Sequence, residues 1–466
     1  MTFSRAGVVK TRRQVLGCLF VIVALAVQPA VVTAADSGSS DTQATLRDSL
    51  EAIWTGNEFS PELVKRQQAL KALLKSGTLT QNDLRSAAEK NILSLMNSQK
   101  TSRYLLKACP DRINGLFSSY LEWKDVKEII WRVASTPASE SDPILVNLGT
   151  LAPSGTPWLS VPESVFFPEI KRLSGGRVQV KIYAGGVMGE DTDILRKMDI
   201  GQLDACGCTS LGVWSASPDT SALLIPGLFN NYDEIDYVCE KFRKRLDETF
   251  EQRGYILAAL IDTGFFYMFS KNKITGLADL RARKPLMWFP AIEAPLYKEL
   301  GINATPVAVP EIVSALSTGM ADTNLAPAAW MLGMQAYQYS NYYLTPPLFY
   351  SPGAVIVSTQ FQKRIEKKYG ISPVFSHNFK EVFVHELNSI EPEWRIQLRS
   401  YEKKCLEAFE SKCGIKVMTF SPEDQETLKK AGKAVQEQLA GQDFSKDLMN
   451  DMLKALEEYR AAHPSR

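Results

Sequence analysis

The feature that most constrains this chain is a change of hydrophobic period at Pro143. Before it, apolar residues recur three and four apart, as in Leu63, Leu70, Leu73 and Leu74 and again in Leu84, Ala88, Ile92 and Leu95, which is the spacing of amphipathic helices. Ser60-Pro61-Glu62 and Thr80-Gln81-Asn82-Asp83 are helix starts, and Gly77 supplies the stop between them. After Pro143 short apolar runs alternate with helical stretches, the signature of an open α/β sheet. The polar, proline-containing run 136–143 reads as a linker, so 36–135 is expected to be a small all-α domain and 144–466 an α/β domain.

Within the α/β part, the spacing predicts strands at 144–149, 177–183 and 203–208, with helices at 162–173 and 191–201 between them. A second alternating region follows, with strands at 255–261, 265–270, 285–289 and 305–309 and a helix at 310–318. Two α/β lobes fit this pattern better than one oversized sheet. Long charged helices at 373–413 and 422–460, separated by a short strand-like stretch at 415–420, close the chain.

The N-terminus has its own logic. Lys10, Arg12 and Arg13 precede an apolar run at 15–27, followed by Pro29 and the small residues Val32-Thr33-Ala34-Ala35. A membrane-spanning helix needs roughly 20 apolar residues, so this run reads as a cleavable export leader over 1–35, cut near Ala34 or Ala35. The expected destination is the periplasm, by a general or a twin-arginine route. There the remaining cysteines, Cys109, Cys206, Cys208, Cys239, Cys405 and Cys413, are free to pair, with a connectivity that spacing leaves open.

Catalytic constellations are missing from the pattern. With 53 Lys plus Arg against 52 Asp plus Glu there is no basic footprint for nucleic acid. The three histidines are His377, His385 and His463. The first two stand eight apart on an expected helix, roughly 12 Å along its axis, too far to share a metal ion. Cys206 and Cys208 form a single C-x-C without the second cluster a zinc site needs. No GxxxxGK, GxGxxG or GxSxG run occurs. The chain is therefore read as a non-enzyme with no catalytic residues, metal or cofactor. More informative are Trp158, Phe265, Phe266, Trp288, Phe289 and Trp330, which fall at loops or strand ends, where ligand contacts on α/β sheets gather.

Several runs resemble the solute receptors of tripartite ATP-independent periplasmic (TRAP) transporters in order and spacing. They are 152–158 (APSGTPW), 174–178 (SGGRV), 185–189 (GGVMG), 200–204 (IGQLD), 277–281 (LADLR), 301–306 (GINATP) and 311–319 (EIVSALSTG) with Asp322. The similarity runs over roughly 144–459. It implies a two-lobed periplasmic-binding-protein-like α/β fold with long C-terminal helices, lobe one over about 144–263 plus C-terminal elements and lobe two over about 264–354. It also implies a small-molecule ligand held between the lobes and delivered to TRAP permease subunits in the membrane. The helices before Pro143 lie outside the resemblance; they are expected either to cap the receptor or to dock a protein partner.

Carried over by position, the family's carboxylate-clamping arginine falls on Leu286, a second arginine of acid-binding members on Phe266, and the asparagine of its Asp-Gly-Gln-Glu-Asn-Pro run on Ala326. Leu151 stands where some members have a polar residue, and the third strand ends in Thr209 and Ser210. A buried anion without a partner is costly, so the expected ligand is apolar or aromatic, contacted also by Trp158, Trp288, Asn324 and Trp330. Two alternatives stay open at this level: an organic acid gripped by other polar groups such as Arg281, Arg283 or Lys284, and a partner-binding module that has lost transport duty.

Overall fold

The computed structural model describes residues 141–370 and 373–464, with residues 72, 75–77 and 80 besides. The expected leader, all but those few residues of the helical region 36–135, most of the linker and Cys109 lie outside the described residues, as does the side chain of His377. The chain divides into two compact units. The first takes in Ile144, 170–178 and 365–383, where the Tyr369 hydroxyl donates to the Pro143 carbonyl at 2.6 Å. The second is formed by 145–169, 179–364 and 384–466 and holds most of the strands.

In chain order the elements begin with β1 (Ile144–Thr150), α1 (Pro157–Val161), a π-helical turn at Pro162–Phe166 and α2 (Phe167–Leu173). Helix thus starts five residues before the expected 162. Pro162 and Pro168 bring no N–H to the helical ladder, and the hydrogen bonding widens there instead of breaking. Next come β2 (Val178–Tyr183), α3 (Asp191–Asp199), β3 (Ala205–Cys208), α4 (Ser210–Ala216) and α5 (Tyr232–Gln252). The start of α3 is fixed by a reciprocal cap, in which the Glu190 side chain accepts from the helix and Asp193 accepts from the Glu190 N–H at 3.2 Å.

The next strand, β4 (Tyr255–Ser270), is sixteen residues long and buried at all but two positions. Sequence spacing splits it at 262–264. Gly264, with φ +116°, absorbs a bulge between Asp262 and Gly264, so the strand bends without ending. Then follow α6 (Leu277–Arg281), β5 (Leu286–Met287), α7 (Pro290–Glu299), β6 (Thr305–Pro306), α8 (Ile312–Ser317), β7 (Thr323–Pro327) and α9 (Ala328–Gly333). The chain continues through β8 (Tyr342–Leu344), β9 (Phe349–Ser358), α10 (Gln360–Tyr369), α11 (Pro373–Ser411), β10 (Lys416–Met418), α12 (Pro422–Leu439) and α13 (Lys446–Ala462). The helix expected over 422–460 is therefore two, separated by Gly441 in the left-handed region, φ +84°.

Strands pair in the order β10-β8-β4-β9-β3-β1-β2, with β7 also against β4, as one mixed sheet; β5 and β6 form a separate parallel pair. β4 lies antiparallel to β9 over ten registered positions and antiparallel to β7 and β8, while β1 and β3 run parallel. This is the expected α/β class.

Buried charge is held by arginines on the late helices. Asp204, 1% exposed, receives Arg364 Nε at 2.5 Å and Nη2 at 2.8 Å as well as the Asn147 N–H at 2.7 Å. Asp262 in β4 receives the Tyr350 hydroxyl at 2.7 Å, Arg399 Nε at 2.7 Å and Arg395 Nη2 at 3.2 Å. Arg399 also donates to Asp236 of α5 at 2.6 and 2.7 Å. Such pairs cost desolvation and reward geometry, so Arg395 and Arg399 hold their stretch of α11 to Asp262 of β4 and Asp236 of α5.

Candidate functional site

A cavity of about 70 Å³ opens among the ends of β1 and β3, the bend of β4, α1 with its π-helical turn, α9 and α11. Leu151 and Trp158 come from the loop and helix after β1, Thr209 from the end of β3, Trp330 from α9 and Trp394 from α11. None of the lining residues carries a charge; the rest of the wall is leucine, isoleucine, valine, proline, phenylalanine and glycine, with Ala152, Cys208, Thr150 and Thr263.

The wall's polar atoms can be followed one by one. Trp158 Nε1 donates to the Asp262 carbonyl at 2.9 Å and Trp394 Nε1 to the Pro157 carbonyl at 2.8 Å. The hydroxyl of Thr150 donates to the Gly207 carbonyl at 2.7 Å, that of Thr209 to Asp191 Oδ2 at 2.5 Å and that of Thr263 to the Pro352 carbonyl at 3.1 Å. Trp330 Nε1 is the exception: buried, with no hydrogen-bond partner among the described residues. An unmet buried donor costs about 1–3 kcal/mol, so this wall is chemically incomplete at one N–H.

Behind Thr209, Asp191 is fully buried and takes three donors on Oδ2: the Thr209 N–H and hydroxyl and the Gly212 N–H at 3.0 Å. Burial pushes its carboxyl up to about 7, with the charge of Glu190 adding to the rise. Cys206 and Cys208 stand beside it, close enough with Asp191 to surround an ion, but the two sulfurs are bonded to each other. That disulfide joins two of the six cysteines whose pairing spacing leaves open. Cys239 and Cys405 are buried free thiols, raised by burial to about 11 and about 12, and Cys413 is free and half-buried.

Of the nine residues singled out from sequence, Leu151, Trp158, Thr209 and Trp330 line this cavity. The other five, Phe266, Leu286, Trp288, Asn324 and Ala326, lie in packed core and off this cavity. The Phe266 ring stacks on Trp288 at 5.3 Å and on Phe349 at 5.0 Å. Trp288 Nε1 donates to the Leu325 carbonyl at 3.2 Å, and the Leu286 carbonyl accepts from the Tyr297 hydroxyl at 3.4 Å. Asn324 offers its amide to Met331 Sδ at 3.7 Å, and Ala326 faces Tyr267 across the β4–β7 ladder. Arg281 donates to the Leu300 carbonyl at 2.8 Å, and neither it, Arg283 nor Lys284 reaches the cavity wall.

Two buried features had no local signal. Trp394 lies far along the chain on a helix that reads as charged and amphipathic. Glu293 looks like an ordinary acid in the first turn of a proline-started helix, yet it is fully buried. Its Oε2 accepts from the N–H groups of Trp288 at 2.8 Å and Phe289 at 3.2 Å, and its Oε1 has no partner among the described residues. Burial pushes this carboxyl up to about 8 against the pull of those two donors.

Comparison with known proteins gives this geometry a context. The family model described as bacterial extracellular solute-binding protein, family 7 (DctP) matches residues 148–443. A solute-binding protein of Verminephrobacter eiseniae is 23% identical over 195 residues, covering 41% of this chain and 58% of its own length. The chain therefore spans somewhat over half of that relative. Among solved structures, the sugar acid binding protein DctPAm of Advenella mimigardefordensis, in complex with galactonate, superposes with a TM-score of 0.61 at 20% identity, covering 68% of this chain and 98% of that one. A TRAP periplasmic solute binding protein of Desulfovibrio salexigens with bound orotic acid gives 0.59 at 17% identity, covering 68% and 99%.

Proposed function

The chain belongs to the bacterial extracellular solute-binding proteins of family 7, and from that premise we propose that it is the periplasmic receptor of a TRAP transporter, which captures an uncharged, apolar or aromatic solute and delivers it to the membrane permease. The family is one of binding proteins, and capture rather than turnover is the chemistry its members share. No described helix is long and apolar enough to cross a membrane.

The observation that carries the ligand class is the wall of the cavity, uncharged throughout and with the Trp330 N–H as its one uncommitted side-chain donor. Apolar burial contributes about 25 cal/mol per Å², so a solute hiding roughly 300 Å² gains several kcal/mol before any polar contact. An acceptor atom on the solute would then meet Trp330 Nε1. The similar structures hold galactonate and orotic acid, which supports the rival reading of an organic acid. Such a ligand normally requires a cationic partner, and this wall has none.

The test is to purify the protein from its native periplasm, denature it and analyse the released small molecules by mass spectrometry. A stoichiometric uncharged compound supports the reading, whereas an organic acid overturns it and leaves the family membership standing. With the compound in hand, Trp330→Phe should weaken binding by the worth of one hydrogen bond, about 0.5–1.5 kcal/mol. In the same proposal, residues 1–35 direct export and 36–135 form a separate helical domain, so a chain beginning at Ser141 should still bind the solute; loss of folding would refute that separation.

A further inference from the structure

A second cavity, of about 180 Å³, shares no lining residue with the first. Its walls come from segments far apart in the chain: Phe229 beside the start of α5, Phe265 of β4, Leu296 of α7, Leu348 before β9 and Leu428 of α12. Phe229, Phe265, Leu296 and Leu348 are each less than a tenth exposed, so the floor is apolar and well anchored.

The space is not a sign of loose packing. Close along α12 from Leu428, Gly432 is seated so tightly that an added Cβ would lie 2.3 Å from the Pro226 carbonyl oxygen. The helix is thus pressed against one wall segment beside a gap that stays open.

The polar side chains at this cavity are those of Asn230, Thr345, Gln425 and Lys429. The Asn230 side chain donates to Glu234 at 3.0 Å, and Gln425 Nε2 to the Phe420 carbonyl at 2.9 Å. Lys429 is exposed at the cavity and takes part in no ion pair or hydrogen bond among the described residues. The combination is an apolar chamber with one unpaired ammonium. A hydrophobic body satisfies the chamber, and an anionic group satisfies the ammonium.

We infer that this cavity is a second binding site, taking an amphipathic monoanion whose hydrocarbon or aromatic part fills the space beside Phe265 and Leu296 and whose carboxylate meets Lys429. Its occupant differs in class from the uncharged solute proposed for the first cavity, so either assignment can fail alone.

Equilibrium dialysis of the full mature protein against octanoate and against 1-octanol tests it. Octanoate should bind more tightly than the alcohol. Lys429→Ala should cost octanoate about two- to fivefold, the range of an exposed ion pair, leave 1-octanol unchanged and so erase the difference. Leu296→Trp should abolish octanoate binding by filling the chamber. Leu428→Trp, at a half-buried position, repeats the blocking test should Leu296→Trp fail to fold, as judged by near-ultraviolet circular dichroism. Absence of octanoate binding at millimolar concentration, or binding indifferent to Lys429→Ala and to the tryptophan variants, overturns the inference.

Discussion

Glu293 offers the sharpest quantitative test of the structure. Its carboxyl is fully buried with one oxygen on two backbone N–H groups and the other on nothing. Burial moves it from the ordinary 4.5 up to about 8. The unfolded chain releases this proton near 4.5 and the folded chain holds it to about 8, so within that window the folded state binds more protons. Stability from this group is therefore lost as pH rises through the window. At 1.36 kcal/mol per pH unit, full ionisation costs the folded state about 5 kcal/mol, an upper figure because relaxation and water entry soften it. Glu293→Gln removes the titration while its amide oxygen keeps both N–H partners. The new NH₂ faces no acceptor, which adds a pH-independent penalty of about 1–3 kcal/mol, so the slope and not the offset is diagnostic. Urea unfolding of both proteins from pH 5 to pH 9 should show the variant gaining on the parent by up to about 1.4 kcal/mol per unit and levelling beyond about 8. Parallel profiles would refute the burial of an unpartnered carboxyl here.

Other expectations follow from the same packing. Arg364→Ala strands Asp204, whose carboxyl burial already holds above its usual range. The loss should approach the 3–5 kcal/mol of a broken buried pair at pH 8 and shrink at pH 5, where Asp204 can take up a proton; a loss independent of pH in urea titrations would count against this. Gly432→Ala should invert the usual sign of its class. Alanine normally strengthens a helix by about 1 kcal/mol over glycine, but here the new methyl meets the Pro226 carbonyl, so a loss of about 1–3 kcal/mol should appear as a lowered melting temperature. A melting temperature at or above that of the parent would show that α12 can move away.

The sequence made the βα alternation legible wherever boundaries are set by neighbouring residues. The cap of Glu190 and Asp193 starts α3 where the spacing places it, and β1 ends one residue from its expected limit. Features decided at a distance were not legible. The union of two expected strands into β4 depends on ten registered contacts with β9, a strand whose uninterrupted apolar run and internal Pro352 give no alternation to read. At the candidate site, Leu151, Trp158, Thr209 and Trp330 converge because each follows the end of a strand, where α/β sheets gather their loops. Phe266, Leu286 and Ala326 behave differently for a physical reason. Where resemblance would put polar groups, apolar side chains have no need of a ligand or of water: all three are buried in the core, and the Phe266 ring stacks on Trp288 and Phe349. Glu293 and Trp394 escaped notice because burial is a property of the surroundings and not of the residue.

The hydrogen bond from Trp158 to the Asp262 carbonyl has a thermodynamic consequence. The same aspartate is gripped through its carboxylate by Arg395, Arg399 and Tyr350, and Trp394 is tethered in turn to Pro157. Two of the three indole rings are thus immobilised before any solute arrives. Ordering a free side chain on binding costs about 0.5–1.5 kcal/mol, so a rigid scaffold spares the encounter that loss of rotational freedom at both rings. Affinity in such a chamber need not come from many contacts; it can come from how little remains to be frozen.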